Sequence, residues 1–350
     1  MSCFLEDIII KSDKMPTLKR SKSTSECESS LKSNNIMKYL AISNTNKSSN
    51  VSHFNNPGYT YRKKMMVNRK IMPYTEDRNI NFCVDCYHVI GSTDGHGGSP
   101  ETSILVSGSF PIFFADNLKK CSDIETVLTD TFEDINRLSV EKHSKGGSTL
   151  SVCVIDRVLK RAYIANLGDS VVQIYRKVDD SFVSIFRTID HGADNLIEQS
   201  RLTELFGNFV RFEFENGKNC GAIYAKIYNN QIMVVGGFGD FHFPEGFIKK
   251  KPDISIINLE KDDIIISSSD GFYESYIPKC NMIGPGRNEQ EIINDLNELY
   301  LSKDLYNSSL ALNLYERQVL KIAEQYGRPD LVDSVKISID NNTITTIIIE

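Results

Sequence analysis

Residues 92–98 read STDGHGG, placing a carboxylate, an imidazole and three glycines within positions 94–98. A carboxylate is a hard oxygen ligand, and an imidazole can carry a proton near neutral pH. Glycines let the backbone come close enough for a carbonyl to act as a ligand. Other acids stand where apolar runs begin or stop. Asp270 ends IIISSSDG, Asp340 stands at the mouth of the last run in SIDNNT, and Glu76 and Asp77 open the stretch that leads to Asp94. Taken singly, each is an ordinary turn or solvated residue, and Asp-Gly is a common turn dipeptide. Gathered at one edge they would repel one another unless cations lay between them. Oxygen-only ligation of that kind suits Mg²⁺ or Mn²⁺ better than Zn²⁺. His96, locked between glycines beside such acids, is then an acid–base candidate.

These side chains need a frame. The stretches 149–156, 160–170, 231–240, 262–271 and 342–350 are short, β-branched and bounded by turn residues, and they predict strands. In SDIETVLTDTFEDINRL, Ile124, Val127, Leu128, Phe132, Ile135 and Leu138 fall on one helical face, and Ser122 and Glu125 have the spacing of a capping box. The stretch 289–326 is helical in composition, with Ile292, Ile293, Leu296, Leu299 and Tyr300 at helical spacing. The order strand, helix, several strands, helices, final strand predicts an α+β domain with sheets packed under helices.

At 350 residues the chain can bury a substantial core. Its net charge of −6 hides an asymmetry: residues 1–70 carry +8 and the remainder −14. An acidic body attracts cations and repels nucleic acid, so no nucleic-acid partner is expected. No stretch has the apolar length of a membrane span, and Glu6 and Asp7 interrupt what would be the apolar core of a signal peptide. The eight cysteines are scattered apart from Cys83 and Cys86, and no second pair or nearby histidines follow at zinc-ligand spacing, so reduced thiols and a cytoplasmic location are expected. A monomer is expected, although the absence of coiled-coil heptads leaves oligomeric state open. Residues 1–58 are rich in Ser, Asn and Lys and read as a disordered basic tail, which leaves 59–350 as the folded domain.

The ordered series ED at 76–77, DGHGG at 94–98, GGSTL at 146–150, ANLGDS at 165–170, DHGADNLIEQSRL at 190–202, GGFGD at 236–240, SSDG at 268–271 and DNNTIT at 340–345 resembles the protein phosphatase 2C family. That resemblance covers roughly residues 59–350. It implies a four-layer αββα fold, in which a central sandwich of two antiparallel sheets is flanked by helices. It also implies metal-dependent hydrolysis of phosphoserine and phosphothreonine in a phosphoprotein substrate, with two Mn²⁺ or Mg²⁺ ions activating a bridging water that attacks phosphorus directly. Carried over, Asp94 would bridge both ions and the Gly95 carbonyl would bind one of them. Glu76 would join that ion, with Asp77 supporting its waters, while Asp270 and Asp340 would complete the other. Asp169 and Glu274 match the positions of a weaker third ion, although the family usually has Asp where Glu274 stands. His96 would donate the proton that the Ser or Thr alkoxide needs on leaving.

The pattern departs from the family where phosphate is gripped. The arginine common four residues before the Glu of ED is here Met72, which has no guanidinium fork. Arg69 or Lys70 is the nearest replacement. Val171 and Gly236 also stand where arginines are common. The implied activity is therefore a phosphatase with weakened phosphate binding, and the alternative is a pseudophosphatase that scaffolds a phosphoprotein.

Overall fold

A computed structural model describes residues 51–56, 76–97, 99–144, 146–216, 221–273, 275–277, 282–284, 289–305, 310–325 and 342–350. The chain opens with β1 (Val51–Asn56), β2 (Arg78–Val84), β3 (Tyr87–Thr93), β4 (Gly95–His96), α1 (Glu101–Leu118) and α2 (Ile124–Lys142). It continues with β5 (Gly147–Ser148), β6 (Leu150–Asp156), β7 (Arg161–Leu167), β8 (Val171–Val178), β9 (Ser181–Arg187) and α3 (Leu196–Phe206). Then come β10 (Val210–Asn216), β11 (Gly221–Ile227), β12 (Asn230–Ile232), β13 (Phe238–Gly239), β14 (Asp253–Asn258) and β15 (Ile264–Ser268). The last elements are β16 (Ser275–Ile277), β17 (Met282–Gly284), α4 (Glu289–Leu301), α5 (Leu310–Gln325) and β18 (Asn342–Ile348).

Side-chain alternation builds the layers. On β6, Val152 and Val154 face one core while Cys153 and Ile155 face another. On β15, Ile264 and Ile266 point one way and Ile265 the other. Two five-stranded antiparallel sheets result, ordered β1-β18-β15-β8-β9 and β14-β7-β6-β3-β2. Ile90, Ile164, Val172, Ile174, Ile265 and Ile347 fill the space between them. Helices α4 and α5 cover the outer face of the first sheet, and α1 and α2 cover that of the second. This is the expected αββα sandwich. Strands buried on both faces have no polar side, which is why they read as unbroken apolar runs.

Several local expectations change. Residues 51–56, assigned to the tail on composition, form β1 and pair antiparallel with β18 from Val51–Ile347 to Asn56–Asn342. The rest of the tail lies outside the described residues. The N-cap of α2 is Asp123, whose carboxylate accepts from Thr126 N, in place of the Ser122–Glu125 box. The helical stretch after residue 288 is two helices, and 231–240 contributes only the short β12 and β13. Helix α1 was not anticipated. It mixes Ser, Gly and Pro111 with apolar residues, and its helicity rests on packing. Phe110 stacks on Phe114 at 5.7 Å and meets Phe132 edge-on at 6.2 Å. A separate small core joins α3 to the three-stranded sheet β10-β11-β12 through Leu202, Val210, Ala225, Ile227 and Phe247.

Candidate active site

The chemistry-bearing residues lie where the two sheets end together. Ser92 on β3 and Ser267 on β15 are fully buried, and their hydroxyls meet at 2.7 Å, tying one sheet to the other. Asp94 follows Ser92 by two residues, and Asp270 follows Ser267 by three. Thr149 fixes the turn at Asp94. Asp94 N donates to Thr149 Oγ1 at 2.9 Å, Thr149 N donates back to Asp94 O at 2.9 Å, and Thr149 Oγ1 also meets Ser170 Oγ at 2.6 Å. One threonine thus joins three segments of the sequence pattern. Ser269 N donates to Thr343 O and Thr343 N to Ser269 Oγ, which holds the Asp270 turn against the start of β18.

Asp77, Asp169 and Asp270 all act on Asp94. Glu76 and Asp77 are buried, and a Cβ on Gly95 would lie 2.8 Å from the Glu76 carbonyl, so only glycine admits this approach. The Asp94 carboxyl is held well above the ordinary carboxylate range. Burial is the largest cause, followed by the charges of Asp77 and Asp270, a hydrogen bond with Asp270, and the charge of Asp169. Three carboxylates from separate segments therefore act on Asp94. Among the described residues no three His, Cys, Asp or Glu side chains close into a group that could hold an ion. Asp340, Glu274 and Arg69 lie outside the described residues. The donor set still fits a hard divalent cation in kind, since every member offers oxygen and their mutual repulsion calls for positive charge.

His96 is not solitary. Its Nε2 lies 2.6 Å from Asp240 Oδ2, a partner the sequence pattern did not assign. The two meet through a three-stranded sheet, β13-β5-β4, in which Gly147 is paired with His96 on one side and Gly239 on the other.

A model of the protein phosphatase 2C family matches residues 85–294. The chain belongs to the protein phosphatase 2C family. Its fold is similar to the structure of a C. elegans sex determining protein, at 18% identity with a TM-score of 0.61, covering 97% of this chain and 77% of that one. It is similar also to a Toxoplasma gondii serine-threonine phosphatase 2C, at 14% identity and a TM-score of 0.54, covering 86% and 94%. Protein spalten of Dictyostelium discoideum is 23% identical over 193 residues, which is 52% of this chain and 18% of spalten. The chain spans less than a fifth of the length of that curated relative.

As a phosphatase 2C relative, the chain carries its departures on structural grounds. Val171, at one common arginine position, is buried in the core under α4 and α5. Gly236, at another, has no room for a side chain, because a Cβ there would lie 2.8 Å from His191 Cβ and 2.9 Å from His191 Nδ1. His191 is itself committed. Its Nδ1 accepts from Gly168 N at 3.0 Å, and its Nε2 lies 2.8 Å from Asp253 Oδ2. It thereby braces the turn that presents Asp169.

Proposed function

We propose that this chain is a divalent-metal-dependent protein serine/threonine phosphatase with a weakened grip on substrate phosphate. The observation that carries the reading is the mutual interaction of Asp94 with Asp77, Asp169 and Asp270, beside a histidine held by a buried carboxylate. Glu76, Asp77, Asp94, the Gly95 carbonyl, Asp270 and Asp340 would hold two Mn²⁺ or Mg²⁺ ions, with Asp169 and Glu274 offering a third position. Bound there, such ions would neutralise phosphoryl oxygens and acidify a water. The chain's own part is to fix the acids on two sheets tied at Ser92 and Ser267, and to hold a proton on His96 for the departing Ser or Thr oxygen. The family's reaction supports a phosphoprotein substrate. Without Met72, Val171 or Gly236 supplying a guanidinium, Arg69 is the proposed phosphate contact.

The test is phosphate release from a phosphothreonine peptide with Mn²⁺. Wild type should turn over, Asp94→Ala should lose activity by at least about 10³-fold, and Met72→Arg should lower KM. Mn²⁺ binding by calorimetry without any turnover would favour the pseudophosphatase reading instead. That reading draws on the buried, apolar character of Val171 and the closed space at Gly236.

A further inference from the structure

Asp240 occupies an unusual place for a carboxylate. It is buried, with its side chain 4% exposed against 29% for His96, so the acid is sealed while the imidazole stays within reach of a substrate. Its backbone is left-handed, with φ 54°, a conformation that a non-glycine residue keeps only where its surroundings impose it. Backbone contacts on both sides hold this turn. Asp240 N donates to Gly146 O at 3.1 Å. Lys250 Nζ donates to the carbonyls of Gly237 at 2.8 Å and Gly239 at 2.9 Å, clamping the turn from behind. A Cβ on Gly147 would collide with both Asp240 Oδ2 and His96 Nε2, so the glycine's missing side chain is the space where the pair meets.

We propose that Asp240 is the positioning residue of the phosphatase reaction, holding His96 by Nε2 so that Nδ1 serves the leaving oxygen. The inference rests on the phosphatase reading above. A carboxylate only accepts, so Nε2 carries the proton shared with Asp240. In the step itself, the oxygen of the attacking water forms a bond to phosphorus. The bond from phosphorus to the Ser or Thr oxygen breaks, and its electron pair stays on that oxygen, which takes the Nδ1 proton. The proton shed by the water passes to solvent, and His96 recovers one from solvent. A carboxylate fixed on the far nitrogen stops the ring from rotating and sets which nitrogen faces the substrate.

The leaving group separates this role from a structural one. A phosphothreonine peptide releases a strongly basic alkoxide that needs the proton, whereas p-nitrophenyl phosphate releases a stabilised phenolate that needs it little. With Mn²⁺, Asp240→Asn should lower kcat on the peptide by about 10²-fold and on p-nitrophenyl phosphate by only a few-fold. The double variant with His96→Ala should be no slower on the peptide than His96→Ala alone. The downfield imidazole proton expected in the ¹H NMR spectrum should vanish in both single variants. Circular dichroism checks folding, and Asp240→Ser gives the same skew if the Asn variant does not fold. Equal losses on both substrates, or additive losses in the double variant, overturn the inference. Wild type inactive on both substrates sinks the phosphatase reading itself, and the inference falls with it.

Discussion

Asp94 shows what the site costs the fold. Its carboxyl is forced above its usual range by burial and by Asp77, Asp270 and Asp169, so the protonated form is favoured in the folded chain. A group with a raised folded value binds its proton more tightly folded than unfolded, so its penalty is absent in acid and grows as pH rises towards neutrality. Asp94→Asn removes that charge with nearly the same shape. In metal-free buffer at pH 7 it should gain about 1 kcal/mol, read as a rise of roughly 2–4 °C in thermal midpoint. The same variant should lose most of the midpoint increase that Mn²⁺ gives wild type, because binding to the folded state is what raises it. A lower metal-free midpoint for Asp94→Asn would show that the acids are not in conflict. Sequence alone singled out Asp94, Asp77 and Asp270, since acids where apolar runs begin or stop leave a visible pattern. It did not expose Asp240 as the partner of His96. That pairing depends on β4 and β13, far apart in sequence, both lying against Gly147.

The β2–β3 hairpin carries a second titrating group, remote from the acids. His88 is buried on β3 with Nε2 2.9 Å from Asn81 Oδ1. Burial, aided by Arg157, lowers its pKa to about 4. The unfolded imidazole titrates near 6.5, so between those values the unfolded chain binds the extra proton. Stability from this group is therefore complete above pH 6.5 and falls as pH drops towards 4, by up to about 3 kcal/mol. Urea midpoints of wild type and His88→Gln, compared across pH 4–7, should diverge by that amount, and parallel curves would refute it. Elements of this kind were legible where one residue type dominated. The strands of the sandwich are β-branched runs, and α2 has a clear apolar stripe. Helix α1 was not legible because Ser, Gly and Pro111 blur its stripe, while its packing is decided by Phe82 of β2 and Phe132 of α2 against its own Phe110 and Phe114. The cap of α2 moved by one residue because Asp123 is as good a cap as Ser122, and the carboxylate also takes the Thr126 hydroxyl at 2.6 Å.

At the scale of the molecule, the first sheet is closed by the two ends of the described chain. Its order β1-β18-β15-β8-β9 makes β1 an edge strand laid on β18, so the sheet cannot be completed until residues 342–348 are in place. Pairing so distant in sequence is slow to form, and until it forms β18 exposes a β-branched edge, Asn342–Ile348, with its backbone donors and acceptors unpaired. Composition placed 51–56 in a tail because Asn, Ser and His dominate the segment, yet a strand on an edge needs backbone pairing more than apolar side chains. Truncation should divide the segment accordingly. Removing residues 1–50 leaves β1 intact and should leave the thermal midpoint close to that of the full chain. Removing 1–56 strips six paired residues from β18 and should lower the midpoint by several degrees, with concentration-dependent aggregation detected by light scattering. Equal midpoints and equal scattering for the two truncations would mean that β1 contributes nothing to the sheet. The acids at the site end should then respond as well, because Thr343, three residues into the last motif, holds both Ser269 beside Asp270 and, through its hydroxyl, Asn79 beside the Glu76–Asp77 pair at 2.7 Å. Loosening β18 at its unpaired edge should therefore weaken Mn²⁺ binding in the 1–56 deletion relative to the 1–50 deletion, an effect measurable by calorimetry at a temperature where both remain folded.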